Sequence, residues 1–254
     1  MPTLEQKPVD ITLISWQRPK MTELVIKTIL RNTPRRAFRL IVVDNGSDDT
    51  TFLENFYSDG IIDELVLNKE NRGLEPARNQ ALELVKSELF VCADNDCLPE
   101  PEWLSKLTDL METFPDYGAI ALRTQVMIGT GNIFDGKEEY LVVEFPHPGG
   151  SFRIMRTEQV RLLGGWRDVL GRGTEERHIC GKLREIGAKT GFAVDARCLH
   201  LFGPTTTDRW GYPKDWQPED TGHSDIWHPV LETGDIEEDL YLYAGVEDVV
   251  DYLS

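Results

Sequence analysis

Three short runs rich in β-branched residues, Val9–Ser15 (VDITLIS), Phe38–Asp44 (FRLIVVD) and Leu89–Ala93 (LFVCA), each break into polar turn residues. Helical periodicity fills the gaps between them, and that alternation limits the fold more than any other feature. Continuous apolar runs of this length read as strands buried on both faces. Strands that alternate with helices build a parallel sheet covered on both sides. Pro19 suits the first turn of a helix over MTELVIKTILRN, which places Leu24, Ile26, Ile29 and Leu30 on one side. Asn45-Gly46-Ser47-Asp48-Asp49 is turn and N-cap chemistry before a second helix near Thr50–Tyr57. Ile62–Leu67 predicts a third strand, and Asn71-Arg72-Gly73 leads into a helix over Leu74–Val85.

This order also fixes where function belongs. Open α/β sheets bind ligands beyond the carboxyl ends of their strands. Ser15–Pro19, Asp44–Asp48, Asn68–Gly73 and Asp94–Pro99 all fall at such ends, so the polar clusters of the first hundred residues share one rim. The later part is less regular. A helix is expected over Trp103–Phe114, strands near Ala119–Leu122, Tyr140–Phe145 and Ser151–Met155, and helices over Thr157–Leu163 and Thr174–Ile186. Phe192–Val194 and Arg197–Leu201 read as two terminal strands. Beyond Phe202 comes a loop rich in Pro, Gly, Trp and Asp, then one or two short helices over Asp235–Ser254.

The sharpest chemical signal is Asp94-Asn95-Asp96 at the exit of the fourth strand. Two carboxylates so close are costly to bury unless a cation lies between them. Carboxylate oxygens suit hard divalent ions such as Mn2+ or Mg2+, and a metal held there grips a diphosphate.

The net charge of -17 is concentrated in residues 201–254, where 13 acidic residues face 2 basic ones. An acidic surface repels phosphate backbones and anionic leaflets, which argues against nucleic acid or a membrane surface as partner. No apolar run is long enough to span a bilayer, and MPTLEQKPVD lacks the pattern of a signal peptide. Cys92, Cys97, Cys180 and Cys198 form no metal-type CxxC pair and read as free thiols of a cytoplasmic protein.

The ordered motifs ITLISWQRP, LIVVDNGSDDT, NKENRGLEPARNQAL, FVCADNDCLPEPEWL, GGSFRIMR, LLGGW, GTEERHICGKLREIG and CLHLFG resemble a family 2 glycosyltransferase. The resemblance runs from about Val9 to Gly203. It implies an α/β fold of the GT-A type, a Rossmann-like mixed sheet flanked by helices, over 1–203, with 204–254 as an acidic extension or lid. It implies transfer of a sugar from a nucleoside-diphosphate donor, UDP favoured, to a hydroxyl on a glycan, lipid-linked or protein acceptor, with Mn2+ or Mg2+.

By the same resemblance, Ser15, Gln17 and Arg18 line the nucleoside pocket, and Asp44 and Asn45 contact base and ribose. Arg78 faces the diphosphate, and Asp94, Asn95 and Asp96 form the DxD motif. In that motif Asp96 is the direct metal ligand and Asp94 lies closer to the ribose, with His200 completing the metal shell. Glu175 and Glu176 supply the catalytic base of an inverting reaction. Gln17 stands where the family usually has Asn, Glu176 and His178 where Asp is common.

Other readings of the same residues remain open at this level. Arg78 pairs with Glu75 or Glu83 on a helix surface, His200 is a core histidine, or His223 or His228 replaces it. Gly164-Gly165-Trp166 shapes the wall of the acceptor pocket. Trp210, Trp216 and Trp227 either stack on sugar or pack a loop. A nucleotidyltransferase wants a glycine-rich phosphate loop after the first strand, where this chain reads SWQRPKMT. A non-catalytic glycosyltransferase-like subunit is the remaining alternative.

Overall fold

Nine strands and six α-helices carry the rim forward, in a computed structural model that describes residues 7–124, 141–149, 152–167 and 175–200. In chain order they are β1 (Val9–Ser15), α1 (Pro19–Asn32), β2 (Phe38–Asp44), α2 (Thr51–Ser58), β3 (Glu64–Leu67), α3 (Leu74–Leu84), β4 (Leu89–Asp94) and β5 (Cys97–Pro99). There follow α4 (Trp103–Thr113), β6 (Tyr117–Thr124), β7 (Val142–Glu144), β8 (Arg153–Arg156), α5 (Thr157–Leu162), α6 (Glu175–Glu185) and β9 (Lys189–His200). The sheet order is β3-β2-β1-β4-β8-β6-β9-β5, with β7 on β9.

The first four strands are parallel, with β1, β2 and β4 buried on both faces and β3 a half-buried edge. Ile11, Leu13, Leu40, Ile41, Val42, Val43, Phe90 and Val91 are all buried. From β8 onward the sheet turns mixed: β8 runs antiparallel to both β4 and β6, while β9 is parallel to β6. This is the mixed sheet that the family resemblance implies, and the parallel arrangement read from the N-terminal strands holds for β1–β4. Two other expectations change. Phe192–Val194 and Arg197–His200 belong to one strand, β9, whose register against β6 jumps between Phe192 and Arg197, and Leu201 lies outside the described residues. The short β5 was not foreseen, since Pro99 and the Asp-Asn-Asp turn hide its three residues.

The amino end of the sheet is fastened by a buried charge. Asp10 is 1% exposed, accepts hydrogen bonds from Ser87 N (2.8 Å), Ser87 Oγ (3.0 Å) and Lys86 N, and pairs with Arg39 Nη1 at 2.8 Å. This ties β1, β2 and the α3–β4 connection together at the pole opposite the rim. Asp10→Asn puts an amide donor against backbone donors and leaves Arg39 only its pair with Glu64, and is expected to cost about 3 kcal/mol. Urea unfolding reads this directly, and a change below about 1 kcal/mol would refute the fastening role.

Candidate active site

The loops at the carboxyl ends of β1 and β2 are built against each other. Ser47 Oγ donates to Asp44 Oδ2 at 2.6 Å and accepts from Gln17 N at 2.7 Å. Asp44 also accepts from Gly46 N and Ser47 N at 3.1 and 2.8 Å, a turn closed by its own first residue. Gly46 is required here, at φ +87°, because a Cβ would lie 2.5 Å from the carbonyl carbon of Glu70. Gln17 and Arg18 also hold positive φ, at 51° and 105°, an uncommon backbone for such residues and one that clusters at binding sites.

Asn45 is tied into the neighbouring loop. Its amide donates to Asn71 Oδ1 (2.7 Å) and Gly73 O (3.1 Å), and its oxygen accepts from Asn68 Nδ2 and Arg72 N at 3.1 Å each. The side chain braces the 68–73 loop, while the Asp44 carboxylate closes its own turn. Asn95 likewise donates to Thr22 Oγ1 at 2.9 Å, and Ser15 Oγ lies 3.3 Å from the same hydroxyl. Both hold the start of α1 against the DxD turn.

The two DxD carboxylates part company. Asp96 Oδ2 accepts from Arg18 Nη1 at 3.1 Å, and its Oδ1 lies 3.6 Å from His200 Nε2. Burial alone would raise this carboxyl, but the His200 charge and the Arg18 guanidinium outweigh it and hold Asp96 below the usual carboxylate range. Asp94 turns the other way, to Arg78 Nη2 at 3.1 Å. Burial and the negative charges of Asp96, Glu175 and Glu176 lift Asp94 to about 6 despite Arg78.

Arg78 is buried, not on the helix surface, and Glu75 and Glu83 are not its partners. Its Nη2 also meets Glu175 Oε1 at 2.8 Å, and Glu175 Oε2 lies 3.4 Å from Nη2 of Arg153, which is fully buried. Burial opposes the charge on Arg78, yet Glu175, with Asp94 and Glu176, keeps it firmly protonated. The Nε and Nη1 atoms of Arg78 are buried without a hydrogen-bond partner. A buried guanidinium with two unspent donors is a docking point for an anion.

Trp166 lies below this arginine, its ring 5.8 Å from the guanidinium carbon and edge-on to Phe90. Asn79 holds the turn, donating to Trp166 O at 2.7 Å and accepting from Trp166 N at 2.9 Å. Gly165, at φ +70°, leaves the room this needs, since a Cβ would run into Asn79 Oδ1. Gly165 and Trp166 thus pack beneath Arg78 and against Asn79.

The acidic pair is also resolved. Glu175 is 3% exposed and spent on two arginines, whereas Glu176, half-buried in the same first turn of α6, makes no ion pair among the described residues. Arg153 is the site residue that sequence reasoning missed. Its signal was a charged residue inside the apolar run of GGSFRIMR. Gly171–Gly173, Trp210, Trp216, Trp227, His223, His228 and the whole 204–254 segment lie outside the described residues.

Residues 10–168 match the sequence pattern of glycosyl transferase family 2. The chain belongs to this family. It is 29% identical over 114 residues to a glucosyl-dolichyl phosphate glucuronosyltransferase of Haloferax volcanii, a match covering 44% of this chain and 36% of that one. It is 38% identical over 73 residues to the uncharacterized glycosyltransferase YfnE of Bacillus subtilis, covering 27% and 18% respectively. The chain therefore aligns with well under half the length of either relative.

Among solved structures, the mannosyltransferase PcManGT from Pyrobaculum calidifontis in complex with GDP-Man and Mn2+ superposes with TM-score 0.65 at 21% identity, over 79% of this chain and 59% of that one. GalNAc-T7 with UDP, GalNAc and Mn2+ gives 0.65 at 14% identity, over 79% and 45%. These likenesses establish the GT-A fold for this family member. No helix among its described residues is long and apolar enough to cross a membrane.

Proposed function

We propose that the protein transfers a sugar from a nucleoside-diphosphate donor, UDP favoured, to an acceptor hydroxyl with inversion, assisted by Mn2+ or Mg2+. The observation that carries this reading is the split of the DxD pair. Asp96 turns to His200, and Asp94 turns to a buried arginine with unspent donors. A carboxylate and an imidazole 3.6 Å apart suit two ligands of one divalent ion. Asp96 and His200 would hold that ion, with Asp94 beside it toward the ribose.

Bound there, the ion neutralises charge that develops on the leaving diphosphate. Arg78 supplies a fixed cationic fork to the phosphate oxygens, kept in place by Glu175 from behind. Asp44, with Gln17 and Arg18 across from it, forms the nucleoside end of the pocket. Glu176 takes the proton of the attacking hydroxyl, because its neighbour Glu175 is committed to Arg78 and Arg153.

The names of similar proteins fit this reading. Two solved neighbours hold nucleotide, sugar and Mn2+, and the haloarchaeal relative's name gives a lipid-linked sugar as an acceptor class. Calorimetry with UDP and GDP, with and without Mn2+, tests the proposal. Metal-dependent binding of one of them, followed by hydrolysis of its sugar conjugate, is the expected result. Absence of binding to any nucleoside diphosphate would instead favour a non-catalytic subunit.

A further inference from the structure

The corner around Asp96 holds a third kind of donor that the reading above leaves unused. Cys97 on β5 and His200 on β9 are directly opposed in the antiparallel pairing, so their side chains leave the sheet on the same face. Asp96 Oδ2 is taken by Arg18, which leaves Oδ1 facing that pair. Cys97 Sγ lies 3.6 Å from Asp96 Oδ1, the same separation as His200 Nε2. All three donor atoms sit within 4.8 Å of one another. Donors on a single tetrahedral ion, bound at about 2.0–2.3 Å, stand about 3.3–3.7 Å apart, so only a small adjustment is needed.

Oxygen, nitrogen and sulfur converging in this way is a different donor set from a pair of aspartates. Thiolate is a soft ligand that favours zinc-like ions and is poorly matched to Mg2+, which prefers an oxygen shell. Cys97 is fully buried and locked in the β5–β9 pairing, so its sulfur is already ordered beside the carboxylate before any ion arrives. Cys198, also buried, precedes His200 by two residues on β9 and therefore lies on the same face, a second sulfur close at hand.

We propose that Cys97 is a third protein ligand of the metal at this corner, and that the site selects thiophilic divalent ions such as Zn2+, Co2+ or Cd2+ over Mg2+. The inference rests on the reading of Asp96 and His200 as metal ligands and sets aside Mg2+, one of the two ions named there. On binding, the Cys97 thiol gives its proton to solvent and the sulfur–metal bond forms, so the ion carries one thiolate and one carboxylate against its two charges. Arg18 stays on Asp96 Oδ2 as the outer partner of that carboxylate.

Co2+ titration of the full chain without nucleotide tests this by absorption. The expected result is visible cobalt bands together with a thiolate-to-cobalt charge-transfer band in the near ultraviolet. Cys97→Ser should remove the charge-transfer band and weaken Co2+ binding by about 10–100-fold. Cys180→Ser should leave both unchanged, and a large excess of Mg2+ should fail to displace the cobalt. Thermal unfolding checks that the serine variants are folded. If Cys97→Ser is not folded, folded Cys198→Ser decides the matter, since a retained charge-transfer band leaves Cys97 as its source and a lost band overturns the assignment.

Cobalt bands without a thiolate band, or a band that survives in folded Cys97→Ser, would overturn the role of Cys97 while leaving Asp96 and His200 as ligands. Ready displacement by Mg2+ would overturn the selectivity. If Co2+ does not bind at all, the metal reading and this inference fall together, and nucleotide calorimetry without metal then shows whether the donor reading survives.

Discussion

Asp96→Asn is expected to lower donor turnover by about 10³-fold or more while leaving the protein folded. The magnitude follows from geometry. Among the described residues, Asp96 is the carboxylate that meets His200, and its other oxygen holds Arg18. Replacing one oxygen by an amide removes both a metal ligand and half the negative charge that attracts the ion. The structural cost stays small, because Arg18 and His200 keep 19% and 26% side-chain exposure and can turn to water.

Asp94→Asn should behave differently. Its amide oxygen can still accept from Arg78, so the expected loss is in donor affinity more than in metal binding. Steady-state turnover against Mn2+ concentration, with thermal unfolding as the control, separates the two variants. Undiminished turnover of folded Asp96→Asn would remove the metal assignment altogether.

The second large effect distinguishes neighbours in sequence. Glu175→Ala leaves Arg78 and Arg153 buried with no carboxylate between them, and is expected to cost about 3–5 kcal/mol. That is a large share of the stability of a domain this size, so the variant should unfold at markedly lower denaturant concentration. Glu176→Gln, one residue later and half-buried with no ion pair among the described residues, should shift stability by no more than about 0.5 kcal/mol. It should nevertheless reduce turnover by about 10²–10⁴-fold through loss of the base. Full turnover in Glu176→Gln, or an unchanged midpoint in Glu175→Ala, would reverse the division of labour between them.

This division explains what could and could not be read from the chain. The parallel N-terminal half was legible because strands buried on both faces announce themselves as unbroken apolar runs, and the rim followed from their order. Arg78 was ambiguous because helix spacing offers Glu75 and Glu83 as partners. Its true ones, Asp94 and Glu175, lie 16 and 97 positions away and meet it only through tertiary packing. Glu175 and Glu176 look alike as letters, and only burial tells them apart. The loop-bracing part of Asn45 was hidden for a related reason, since an asparagine after a strand serves a ligand or a loop equally well. Here four hydrogen bonds commit it to the loop.

One long strand has a consequence for how such a site can change over time. β9 runs 12 residues from Lys189 to His200, and its last residue delivers the imidazole to the corner. Adding or deleting one residue in a regular stretch of a strand reverses which side every later side chain faces. Between Cys198 and His200 the pairing with β5 is unbroken, so a length change there would carry the imidazole to the far side. The register jump between Phe192 and Arg197 lies upstream and can absorb such a change. A change of length in the strand's middle can thus leave the aim of its tip unaltered.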